Sequence, residues 1–472
     1  MRHNREARIT GAIAVPNQDL DIRHFFQATN PSRTLDIQKP ADRQLYVDFS
    51  EVRGGQIIEE MKANITFFSP DDPTCTLFTG HIGCGKSTEL LRLKQELEAE
   101  RFHVVYFESS DDLDIGDVDI GDVMLAIARR ISQSLEFLTL PEQTGLQAIL
   151  RGAAKVLTTD IELLAAEVGG ELPGLQKVGA SWKRSGEFSL SAGIAKITAR
   201  AKNDVKLRDR LNNYLGPQKN QLLDLINQEL IEPGIDQLKA QGHAGLVVIV
   251  DNLDRIDNRP KAHGRPQQEY LFIDQGECLR GLHCHTVYTL PLALKFSNEY
   301  ATLAQRFPED PKVLPMVPIQ FQDGSPCEEG MTLLRQMVLT RAIPTFTPHQ
   351  QQAATAQVFD HPSTLDHLCH MSGGHVRDLL RILNAWIKKG RAFPLTRHHL
   401  DEVVRGYRNE ITLYISDEEW ALLRQVRQRK KVSGDDDYQA LIRSRLVFEY
   451  RDRGQSRFDV NPILLDAPEL RA

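Results

Sequence analysis

The chain has 472 residues, 41% of them hydrophobic, with 57 basic against 64 acidic side chains and a net charge of −7. That length holds about two to four domains, the charge argues against a globally basic nucleic-acid binder, and no apolar run approaches the ~20 residues of a membrane span. The cysteines Cys75, Cys84, Cys278, Cys284, Cys327 and Cys369 form no C-x-x-C pair, so a reduced, cytoplasmic chain without zinc ribbon or disulfide framework is expected. The opening run MRHNREARIT lacks the apolar stretch of a secretory signal.

Residues 1–45, with Pro16, Pro31 and Pro40, read as a weakly structured extension. From Tyr46 to Ile65 the pattern predicts a turn at Gly54-Gly55 and a helix. Cys75 to Thr79 then reads as a short strand. It runs directly into Gly80-His81-Ile82-Gly83-Cys84-Gly85-Lys86-Ser87, which fits G-x-x-x-x-G-K-[ST]. The glycines allow a tight turn with successive N–H groups aimed at phosphate oxygens. Lys86 is a point charge for the β- and γ-phosphates of a nucleotide, and the Ser87 hydroxyl is a ligand for Mg²⁺. The amphipathic helix predicted over residues 87–100 adds its positive N-terminus.

Phe102 to Phe107 is the second strand. The repeated Asp-Ile-Gly-Asp-Val at 114–118 and 119–123 reads as a loop and N-cap before a helix from Val123 to Leu135, because it lacks the ligand spacing of a calcium loop. Residues 140–240 are expected to be mostly helical. Within them, Gln176 to Lys202 holds Lys177, Lys183, Arg184, Lys196, Arg200 and Lys202 against Glu187 alone, a solvated insertion or a docking surface. Its Phe188–Lys196 stretch alternates like a hairpin arm.

Gly245 to Asp251 is an apolar run of buried-strand type ending in a carboxylate. Beside the P-loop strand, Asp251 would hold Mg²⁺. His283-Cys284-His285 is not a metal site on this reading, since neighbours on a strand face opposite ways. His285 to Leu290 and Val313 to Ile319 complete five strands separated by helices, the pattern of a parallel α/β sheet. Residues 326–392 read as all-helical. Helices over 398–407, 417–427 and 437–443, then two strand-like runs around Arg453-Gly454, suggest a winged helix.

Together these motifs resemble the AAA+/STAND group of P-loop ATPases, especially its origin-recognition-like and prokaryotic NACHT- or KAP-related branches. The resemblance spans about residues 46–465. It implies an α/β P-loop NTPase core over 46–325 with a helical insertion, a helical lid over 326–394 and a winged helix over 395–472. It also implies Mg-ATP binding and hydrolysis. Asp251-Asn-Leu-Asp254-Arg255 is similar to a Walker B run. Met371 to Leu379 is similar to a sensor 2 turn, in which Arg377 would face the γ-phosphate. Thr289 matches the sensor 1 position. Arg306 resembles an arginine finger acting on a neighbouring subunit, with a helix-terminal salt bridge as the equal alternative. The chain departs from the pattern where Asn252 replaces the glutamate expected after Asp251. Asp254 is then the candidate for activating water, in a slow ATPase that works as a switch. Two purposes fit. One is a signalling or assembly ATPase, as in bacterial antiviral defence, with a separate protein effector and self-assembly. The other is a DNA-handling protein of initiator or transposition-regulator type that reads nucleic acid with its winged helix.

Overall fold

The computed structural model describes residues 20–168, 190–202, 204–452 and 454–471. The chain divides into two units. One comprises Ile57–Thr79 and Glu89–Val313, and the other comprises the residues up to Gln56, Gly80–Thr88 and Leu314–Ala472.

The first unit is built on a five-stranded parallel sheet in the order β2-β3-β4-β1-β5. Its strands are β1 (Cys75–Thr79), β2 (Phe102–Glu108), β3 (Gly245–Asp251), β4 (His285–Leu290) and β5 (Lys312–Val313). β1, β3 and β4 are buried along their whole length, which their unbroken apolar runs require of a strand covered on both faces. The sequence places Asp251 beside the P-loop strand, but β4 lies between β1 and β3. β5 is shorter than the predicted run to Ile319. Pro315 and Pro318 have no N–H to give a ladder, so pairing stops at Val313.

The repeat after β2 caps the helix Ile120–Ser134. Asp119 and Asp122 there form a reciprocal capping box. The insertion is helical, in Thr144–Val168, Leu190–Lys202, Val205–Leu215, Lys219–Ile226 and Glu232–Ala240. From Leu190 onward the expected hairpin arm is instead a helix. Leu190, Ile194, Ile197 and Ala201 recur at helical spacing and are buried, and that period wins over the alternation. Phe188, Lys177, Lys183, Arg184 and Glu187 lie outside the described residues.

In the second unit, residues 20–45 are more ordered than their prolines suggest. The helix Ile22–Ala28 buries Phe25 completely and packs on the helices Glu328–Ala342 and Val376–Gly390. Residues 1–19 lie outside the described residues. The helices Pro362–Ser372 and Val376–Gly390 are followed by Arg397–Thr412, Asp417–Arg429 and Asp436–Arg443. An antiparallel hairpin, β6 (Val447–Asp452) and β7 (Gln455–Val460), closes this part as a winged helix. The fold class is thus α/β, a P-loop parallel sheet with a helical insertion followed by an all-helical segment and a winged helix.

Candidate functional site

The loop between β1 and the helix Lys86–Ala99 is held from its carbonyl side. The Lys86 ammonium donates to the carbonyls of Gly80 (2.7 Å) and His81 (3.0 Å). His375 Nε2 lies 2.9 Å from the Ile82 carbonyl, and the Arg377 N–H donates to Gly83 at 3.1 Å. Arg53 Nη2 donates to Cys84 at 2.8 Å. Every carbonyl from Gly80 to Cys84 is therefore engaged, as buried backbone requires. Across a planar trans peptide a carbonyl and the next N–H point opposite ways. Tying a carbonyl back turns the following N–H to the other side, the arrangement an anion-binding nest uses, although the Cys84 N–H turns inward to the His81 carbonyl at 3.1 Å.

Glycine at 83 and 85 is a conformational need. Their φ values are +96° and +113°. A Cβ on Gly83 would also sit 2.8 Å from His375 Cε1 and 2.9 Å from Arg377 Cβ. Arg377, singled out by its sequence context, thus lies alongside the loop. Ser87, in the first turn of the helix, is half-buried.

One loop residue, His81, is also held by β6 through two contacts. The Glu449 N–H donates to His81 Nε2 at 2.9 Å, and the His81 ring meets Phe448 edge-on at 5.5 Å. Burial, reinforced by His375 and Lys86, holds the His81 imidazole well below its ordinary pKa. It is then neutral, the form that can accept this bond.

The first unit carries its candidate residues along the C-terminal edge of the sheet. Asp251 ends β3 and is almost fully buried. Its oxygens accept from the Tyr106 hydroxyl (2.8 Å) and the Asn252 N–H (2.6 Å). Asn252 sits in the left-handed region at φ +64° and gives its side-chain amide to Glu108 Oε2 at 2.6 Å. Glu108 ends β2 in register with Asp251. Burial, then the Asp251 carboxylate, raises the Glu108 pKa. Thr289 Oγ1 accepts the Asp254 N–H at 3.4 Å, so the sheet brings these two together. Arg306, the last residue of the helix Tyr300–Arg306, pairs with Glu277 at 3.6 Å. Among the described residues no three His, Cys, Asp or Glu side chains group as a metal site. His283 pairs with Glu232, and His285 bonds Thr74.

Glu108, His375 and Arg53 were not singled out from the sequence. Only Glu108 left a local signal there, a carboxylate at the end of a predicted strand.

No family model matches the chain, and no curated protein matches it. Solved structures similar to it include a Walker-type ATPase of Pyrococcus abyssi, at 11% identity and TM-score 0.40, covering 94% of this chain and 100% of that one. The ORC2 protein of Aeropyrum pernix, solved as ADPNP–ADP complexes, is 10% identical with TM-score 0.42, covering 94% of this chain and 96% of that one. The A. pernix ORC1 protein in complex with DNA is 13% identical with TM-score 0.36, covering 93% and 96%.

Proposed function

We propose that this chain binds Mg-ATP through the loop Gly80–Ser87 and hydrolyses it to ADP and phosphate, as an AAA+-type nucleotide-dependent switch. The observation that carries the proposal is the loop itself. Each carbonyl from Gly80 to Cys84 is bonded to a donor of the chain, so the backbone is already set for an anion.

The loop N–H groups and the Lys86 ammonium would bind the phosphates. Arg377, beside Gly83, would neutralise charge that grows on the γ-phosphoryl group during transfer. Mg²⁺ suits the donors available, the Ser87 hydroxyl and the Asp251 carboxylate, which are hard oxygens of the kind that share this ion with waters and phosphate. When bound, it neutralises phosphate charge. Tyr106 and the Asn252 N–H hold Asp251 in one orientation. Asn252 is no base, so orienting water falls to Asp254, whose backbone is fixed on Thr289. Arg306 would act on a neighbouring copy only by leaving Glu277, and that makes self-assembly a condition of its role.

The winged helix is better suited to holding protein than to reading DNA. Val447 to Tyr450 of β6 are buried. Lys430 and Arg457 both pair with Asp459, and the helix Asp436–Arg443 begins among Asp435, Asp436 and Asp437. The nucleotide state would thus act on a protein effector or on further copies of the chain. The test is phosphate release from Mg-ATP. Turnover by the wild type and none by Lys86→Ala is expected, and equal turnover by the two would place the activity elsewhere.

A further inference from the structure

The geometry points to His375 as a positioning residue of the phosphate loop, one that fixes the Ile82–Gly83 peptide in its anion-binding orientation. This rests on the nucleotide-binding reading above and adds to it a residue that touches no nucleotide.

His375 is the N-cap of the helix Val376–Gly390, and its Nδ1 lies 3.1 Å from the Asp378 N–H. Capping alone would be served as well by asparagine, serine or aspartate. The imidazole does more, because its far nitrogen reaches the Ile82 carbonyl, 293 residues away in sequence. A carbonyl has no hydrogen to give. Nε2 must therefore carry one, whatever the state of Nδ1.

The ring has little freedom to do otherwise. It has no exposed surface, lies parallel to Phe448 (7° between planes, centroids 5.6 Å apart) and presses Cε1 against Gly83. The turn before it is fixed as well. Gly374 adopts φ +75°, and a Cβ there would fall 1.8 Å from the Val317 carbonyl. Two residues on, the Arg377 N–H takes the next carbonyl of the loop, that of Gly83. One helix start thus holds two successive peptides.

The tether matters because the residue after Ile82 is a glycine. A peptide preceding a glycine at positive φ rotates more easily than most, since glycine tolerates both signs of φ. Without a donor on its carbonyl, the Ile82–Gly83 peptide can turn its N–H away from the phosphates. Bound nucleotide would then have to restore the orientation at the expense of affinity.

The experiment measures the Kd of Mg-ATP by calorimetry, and the Tm without nucleotide, for full-length wild type, His375→Asn and His375→Gln. Asparagine keeps the cap but cannot span to Ile82. It is expected to melt close to wild type and bind ATP about fivefold to tenfold more weakly. Glutamine restores a donor with longer reach and should return to within about twofold of wild type. A folded His375→Asn with unchanged Kd overturns the inference and leaves the nucleotide reading standing, whereas a wild type that binds no ATP overturns both. Should His375→Asn not fold, His375→Gln decides: near-wild-type affinity supports the donor role, and a tenfold loss in a folded protein contradicts it.

Discussion

The carboxylates at the edge of the sheet differ in environment. Asp251 is held by Tyr106 and by the Asn252 backbone, which suits a fixed metal ligand better than a group that must move a proton. Burial and the Asp251 charge raise the Glu108 pKa, and Asn252 occupies one of its oxygens. Asp254 is buried, with its N–H on Thr289. Asp254→Asn is therefore expected to lower kcat by about a hundredfold or more, the scale of a lost general base, while the Kd for ATP stays within about threefold of wild type. Turnover unchanged in Asp254→Asn would shift the role to Glu108, and Glu108→Gln would then show the loss. The P-loop was legible in the sequence because its chemistry is local: glycines, a lysine and a serine at fixed spacing after a strand. Its supports were not. His375, Arg53 and Glu449 reach the loop from 293, 31 and 368 residues away; no local pattern marks Arg53 or Glu449, and within Met371–Leu379 only Arg377 drew notice.

At the scale of elements, the helix Ile120–Ser134 carries a titrating group at its start. Asp122 accepts the Asp119 N–H in the capping box, and burial raises its carboxyl from 3.8 to about 7. Between those values the folded chain holds a proton that the unfolded chain has released. Stability contributed by this group is complete below pH 3.8, falls as pH rises and is lost above about 7. Asp122→Asn keeps the acceptor and removes the charge. Its Tm is expected to exceed that of wild type by a few degrees at pH 8 and to match it at pH 4. Equal Tm values at pH 8 would show that Asp122 is not raised. Most helices and strands were legible from periodicity. The failures have plain causes. The segment from Leu190 satisfies both an alternating and a helical pattern, and only its packing decides between them. The run after Val313 has strand composition, but two prolines deny it a ladder. The place of β4 between β1 and β3 depends on long-range pairing that no single strand encodes.

At the scale of the whole molecule, the winged helix is where the proposed protein-directed switch and a DNA reader predict different behaviour. Its hairpin contributes Phe448 and Glu449 to the support of the loop, so this surface is committed within the chain. Duplex DNA should accordingly bind no more tightly than the nonspecific range of roughly 10⁻⁴ to 10⁻⁶ M at physiological salt. Submicromolar binding with a steep salt slope would restore the DNA reading. Calorimetric titration of Mg-ATP into wild type and Lys86→Ala decides whether the loop from Gly80 to Ser87 is a nucleotide site. Saturable, one-to-one binding by the wild type is expected. Removing the ammonium should cost on the order of 2 to 5 kcal/mol, at least about thirtyfold in Kd. Equal affinity in a folded Lys86→Ala, or no binding by the wild type, would contradict a nucleotide site there.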